Sequence, residues 1–173
     1  IQDGDTLNAK VVEYAGFKFP FKDSFIVAST QNPESITNAK NILINSEETY
    51  VKADVDGERW TISKKATEKL AYQDHSVKIL EEFEGKTIAG ETCRNPVNNT
   101  DIPILSSDTV DDDIATGITY NEDRQGTENP KQNTGKHGTI YETNVKPVLC
   151  RCGGRVIASV IRDQWFINYG KPE

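Results

Sequence analysis

The chain of 173 residues has no methionine, three cysteines, two histidines, and no run of eighteen apolar residues. Each shortage excludes something. Without a long apolar run there is no transmembrane helix. Three cysteines are too few for a disulfide scaffold of this size, and an all-thiolate zinc site needs four. They favour a reducing, cytoplasmic setting. No phosphate-cradling glycine loop, His-Glu zinc helix or serine-elbow motif is present. Asp108–Asp113 (DTVDDD) lacks the glycine at the sixth position and the terminal glutamate of a calcium loop. Net charge is −7, which argues against a general nucleic-acid-binding surface. The charge is uneven, however. Residues 130–173 hold seven Lys/Arg against three Asp/Glu, so a local basic segment could still meet a polyanion. The chain opens on Ile1 and a polar stretch without a readable signal peptide, and is expected to be a piece of a longer protein.

Hydrophobicity at 35% is lean but enough for one core. Residues 9–19 alternate in part, with Pro20 expected to close that strand. Phe25 to Ser29 reads as a strand, followed by a turn into a short helix through Ile36, Ala39 and Lys40. Asn32 is its cap, Pro33 its first residue, and Glu34 suits the positive pole. Asn41–Asn45 returns to strand. Tyr50–Val55, Asp56-Gly57 and Arg59–Ile62 form a hairpin. Ser63 caps a helix from Lys64 to about Gln73 with Ala66, Leu70 and Ala71 on one face. Val77–Phe83 is a strand, and Gly85 turns the chain. Residues 121–139 contain no Val, Ile, Leu, Phe, Tyr or Trp, and are expected to form a mobile loop. Val145–Val160 resumes the strand pattern around a Gly153-Gly154 turn. Many short strands with two brief helices point to a closed or strongly curved mixed sheet.

Chemistry candidates are few. Cys150-Arg151-Cys152-Gly153 resembles half a zinc knuckle, but two reduced cysteines beside a turn is the favoured reading. His75 follows a helix end and reads as a surface residue, while His137 lies in the apolar-free stretch. Thr30, Gln31 and Ser35 put hydroxyl and amide groups beside helix N–H groups that could stabilise an oxyanion. Plain capping is the favoured reading on local sequence alone.

Several separated segments resemble the editing (connective-peptide) domain of archaeal-type leucyl-tRNA synthetases. The ending Asp163 to Glu173 (DQWFINYGKPE) is similar to that family's DQWFxxYGxPEW stretch, and Pro147 to Gly153 to the strand before it. Thr30-Gln31-Asn32-Pro33-Glu34-Ser35 sits where the family has TxRPET. Trp60–Asp74, Phe83–Gly90, Asn95-Pro96-Val97 and Ala115-Thr116-Gly117 follow in the family's order.

The resemblance implies a mixed α/β, β-barrel-like editing fold of class I synthetases in a single insert, residues 1–173. Residues 1–24 and 145–173 would be the strands joining it to a catalytic core. It implies hydrolysis of the ester of misacylated leucine tRNA, an activity that supplements a synthetic site where small apolar differences bind too similarly. Thr30, Gln31, Glu34 and Ser35 would be catalytic, and Asn32, Thr116 and Gly117 would bind substrate. No metal or cofactor is implied for the domain itself; ATP and magnesium would belong to the parent enzyme's synthetic site. The implied partners are the 3′ end of leucine tRNA and the parent's core, in the cytoplasm, with no membrane.

The pattern departs from the family at known places. The loop arginine is Asn32, the final threonine is Ser35, and the aspartate that grips the substrate ammonium falls near Asn129. Glu122 or Asp123 could substitute. The region before Pro147 is also shorter than in the family. The alternative is a hydrolytically inactive insert of a synthetase paralogue, binding the tRNA end or serving architecture.

Overall fold

The structure, a computed structural model, describes residues 10–122, 136–144, 148–150 and 152–163. Among the described residues, ten strands make two sheets and one α-helix accompanies them. The strands are β1 (Val11–Phe21), β2 (Ser24–Thr30), β3 (Ala39–Ile44), β4 (Thr49–Val55), β5 (Glu58–Ser63), β6 (Val77–Glu84), β7 (Thr92–Arg94), β8 (Asp101–Ser106), β9 (Thr119–Glu122) and β10 (Lys136–Thr143). The helix α1 is Lys64–Tyr72. Six strands run in the order β10-β1-β2-β5-β4-β6, and four in the order β7-β8-β3-β9. Most neighbours are antiparallel, but β2–β5 and β3–β8 are parallel, so both sheets are mixed. The sheets are open, with β10 and β6 at the ends of one and β7 and β9 at the ends of the other.

Strand periodicity explains the two cores. Successive side chains of a strand face opposite ways, so β2 sends Ile26 and Ala28 to one cluster and Val27 and Phe25 to another. The first cluster gathers Phe17, Phe19, Ile42, Ile44, Ile104 and Tyr120, and so lies between the sheets. The second puts Val51, Val55, Trp60 and Ile62 beneath Ala66 and Leu70 of α1. A strand buried on both faces reads as a continuous apolar run, which is the FIVAS segment.

Local chemistry sets the boundaries. Asp56 and Gly57 both take left-handed φ values, 54° and 90°, as the tight hairpin requires. Ser63 Oγ accepts from the Ala66 N–H at 3.1 Å and starts α1. Ala71 is exposed, however, and Thr67 and Lys69 are the other buried residues of the helix. Pro20 does not close β1. It lies past Phe17, the last residue paired with β10, where a missing N–H breaks no ladder bond.

The expected short helix after β2 is a 3-10 turn, Pro33–Asn38, and Ala39 and Lys40 already belong to β3. Asn32 makes no side-chain cap. β9 runs through Asn121 and Glu122, and β10 begins at Lys136, because backbone pairing needs no apolar side chain. The rest of the stretch expected to be mobile, 123–135, lies outside the described residues. The described part of the expected strand region 145–160, residues 148–150 and 152–160, is not a regular strand and holds one bridge, Leu149 to Arg155. The Cys150 N–H donates to the Gly154 carbonyl at 2.8 Å, and this tight turn brings Cys150 and Cys152 together as a disulfide. That corrects the expectation of reduced thiols, and bonded sulfurs cannot serve as half a zinc knuckle.

Candidate functional site

Two segments far apart in sequence meet at the end of β2. The Ser29 N–H donates to the Ile118 carbonyl at 2.9 Å, and Ser29 Oγ lies 3.2 Å from the same oxygen. Thr116 Oγ1 is 3.0 Å from Ser29 Oγ. The loop carrying Thr116 is tied from behind as well. Its carbonyl accepts from the Ser63 N–H at 2.9 Å, Ser63 Oγ donates to the Asp112 carbonyl at 2.6 Å, and Tyr50 Oη donates to the Gly117 carbonyl at 3.0 Å. Burial pushes the Tyr50 phenol up to about 12, so it stays a neutral donor.

A buried ion pair holds the same loop from the helix side. Lys69 is 1% exposed; its ammonium contacts Glu142 Oε2 at 2.6 Å and also donates to the Asp113 carbonyl. Glu142 Oε2 in turn accepts from the Ala115 N–H at 2.9 Å. Helix α1, strand β10 and the 111–117 loop therefore share one charge-assisted network.

Between these anchors lies an open cavity of about 210 Å³. Val110, Ile114 and Ile118 supply its apolar lining, Tyr14, Ser29, Thr109, Asp111 and Thr119 its polar one, and Gly117 lines it as well. The Tyr14 phenol is raised by burial and then by the nearby Glu142 charge, so it is neutral at physiological pH. The mix of apolar wall and a few polar groups suits a small amphiphilic ligand.

The expected site residues divide. Gly117 lines the cavity, and Thr116 is fully buried behind it. Thr30 follows the cavity-lining Ser29, but its Oγ1 accepts from the Asn32 N–H at 3.0 Å. Gln31, Asn32 and Glu34 are exposed on the corner and do not line the cavity. Ser35 is buried, with Oγ donating to the Asn32 carbonyl at 2.8 Å and lying 3.0 Å from Tyr120 Oη. The Thr30 and Ser35 side chains, then, serve the turn and the core. For Glu122 the backbone pairs with Ala39, and Asp123 lies outside the described residues. Sequence reasoning missed Tyr14, Ser29, Ile114 and Asp111. Ser29 carried a signal as the residue before the Thr30 corner, whereas Asp111 was hidden in an acidic loop.

Ser35→Ala should lower thermal stability by about 1–3 kcal/mol, because it leaves the buried Tyr120 hydroxyl without that partner. The cavity should survive, with Ser29 and Gly117 amide signals unmoved in an NMR spectrum.

The mixed two-sheet α/β fold is that of the editing inserts of class I aminoacyl-tRNA synthetases. The editing-domain structure GlLeuRS-CP1 superposes with a TM-score of 0.56 at 19% identity, covering 62% of this chain and 53% of that one. The Plasmodium knowlesi cytosolic leucyl-tRNA synthetase editing domain gives 0.55 at 17%, covering 65% and 59%. Sequence relatives narrow the class. Leucine–tRNA ligase of Pyrococcus furiosus is 37% identical over 126 residues, 68% of this chain and 13% of that protein. That of Archaeoglobus fulgidus is 26% identical over 276 residues, 100% of this chain and 30% of that protein. No family profile matches. The chain belongs with the editing (connective-peptide) domains of archaeal-type leucyl-tRNA synthetases, and spans about an eighth to a third of the length of those relatives. The Archaeoglobus match runs over 276 residues against 173 here, so that relative carries about a hundred additional residues within the matched region.

Proposed function

We propose that this chain is the editing insert of a leucine–tRNA ligase, and that the cavity beside Ser29 and Gly117 receives the aminoacyl end of misacylated leucine tRNA for hydrolysis by water. The observation that carries the reading is the meeting of the Ser29–Thr30 segment with Thr116–Ile118 around one amphiphilic cavity. The ester would enter at the β2 end, with Ser29 Oγ and the neutral Tyr14 phenol as hydrogen-bonding groups for its oxygens. Charging of tRNA, with ATP and magnesium, would belong to the parent's core. The implied compartment is the cytoplasm.

A second reading is favoured by one observation: the hydroxyls of Thr30 and Ser35 are engaged in the turn and the core. On that reading hydrolysis is lost and the insert binds the tRNA end or serves architecture. The test is deacylation of isoleucine- or norvaline-charged leucine tRNA by the parent synthetase with this insert in place. The editing reading predicts release of the amino acid, reduced at least tenfold by Ser29→Val. Intact esters would leave the second reading.

A further inference from the structure

Of the three cysteines, one is shut away and two are joined, and their surroundings decide what each can do. Cys93 is buried in the core between the sheets, where burial pushes its thiol up to about 12. There it stays protonated and inert. Cys150 and Cys152 form a disulfide across two positions of the chain, with Cys152 exposed and Cys150 half-buried. An outside thiolate can reach such a bond, and exposed disulfides are the labile ones.

The disulfide closes the tip of a tight turn. The Val156 N–H donates to the Val148 carbonyl at 2.8 Å, Leu149 bridges Arg155, and the Gly153 N–H donates to the Cys150 carbonyl at 2.9 Å. These backbone links are few, so the covalent bond is a large part of what fixes the turn. Arg155 leaves the turn one residue past Gly154, and its guanidinium meets Asp113. Asp113 belongs to the 111–117 loop, whose Ile114 and Gly117 line the cavity. One ion pair thus joins the turn to the cavity wall.

We propose that Cys150 and Cys152 are a reversible redox site, open as two thiols under reducing conditions and closed by a small disulfide of the glutathione class, and that closure tightens Arg155 onto the cavity loop. In closing, the Cys152 thiolate attacks one sulfur of the oxidant and expels a thiolate, leaving a mixed disulfide. The Cys150 thiolate then attacks Cys152 Sγ, the intrachain bond forms, and the second thiolate leaves. Two electrons pass from the cysteines to the oxidant, and the two cysteine protons end on the two released thiols. A reducing cytoplasm keeps an exposed bond of this kind open at rest, so closure reports oxidation. The site needs neither tRNA nor hydrolysis, and so stands independently of the editing reading.

The test counts thiols and reads the loop in the same samples. After treatment with dithiothreitol and its removal, iodoacetamide should label Cys150 and Cys152 on the native chain. After oxidised glutathione it should label neither, and Cys93 should react only on unfolding. Amide exchange at Ala115 and Gly117 should slow about twofold to fivefold on oxidation, the range of one partly exposed ion pair. Arg155→Ala should keep the change in thiol count and lose the change in exchange. Cys150→Ser with Cys152→Ser should exchange like the reduced chain and ignore the oxidant. Two thiols that stay reactive after oxidised glutathione, a mixed disulfide that never resolves, or a reduced pair that holds one zinc ion per chain and resists the oxidant would overturn the site. Closure with unchanged exchange at Ala115 and Gly117 would overturn the coupling to the cavity.

Discussion

Replacing Gly117 by alanine is expected to collapse the candidate pocket and to destabilise the chain by about 2–5 kcal/mol. Two causes act together. Gly117 has φ +70°, a left-handed conformation that an L side chain adopts at a cost. A Cβ there would also stand 2.4 Å from Ser63 Cβ and 2.7 Å from the Asp112 carbonyl. Neither neighbour can yield easily, since Ser63 caps α1 and donates to Asp112. For a domain of this size the melting temperature should fall by roughly 5–15 °C. The Ser29 and Ile118 amides, joined across the pocket floor, should be among the most shifted. A variant with wild-type melting and unshifted amides would contradict the close approach.

Lys69→Ala should be as damaging, for a different reason. The lysine and Glu142 are almost fully buried, and removing the lysine takes from Glu142 a buried charge partner at 2.6 Å, at a cost of about 3–5 kcal/mol. Glu142 also holds the Ala115 N–H, so the loss should spread to the loop that carries Asp111 and Gly117. Chemical denaturation should show a lower midpoint, and amide exchange should quicken at Ala115. Lys69→Met with Glu142→Gln should recover part of the loss, because both charges are then gone and the amide oxygen can still accept from Ala115. No recovery in the double variant would mean that packing around Lys69, rather than charge, carries the effect.

How far the sequence reveals this molecule follows from what each feature depends on. The hairpin through Asp56-Gly57 and the helix begun by Ser63 depend on neighbouring residues, and both are readable locally. Lys69 reads as a solvated lysine on an amphipathic helix, because its partner is supplied by β10, seventy-three residues later. The 3-10 turn at Pro33–Asn38 escapes the helical reading because β3 claims Ala39 and Lys40 for pairing with β8 and β9.

The segments singled out by the family resemblance lie on both sides of the cavity, and their side chains fall differently. Within the segment that fits the Thr-rich motif, the Thr30 and Ser35 hydroxyls hold the corner together, while the preceding Ser29 lines the cavity. Gly117, singled out through its place in Ala115-Thr116-Gly117, lines the cavity. Asp111 could not be singled out from three consecutive aspartates, since only the tertiary pairing of Asp112 and Asp113 with Lys65, Lys69 and Arg155 distinguishes it.

The most direct test of the account is a titration of the isotopically labelled chain with an amide-linked norvalyl-adenosine, which mimics the charged tRNA end but cannot be hydrolysed. Saturable shifts at Ser29, Ile114, Gly117, Ile118 and Thr119 are the predicted result. Shifts confined to another surface, such as the cleft between Tyr72 and Arg155, or no saturable response at all, would contradict the assignment of this cavity.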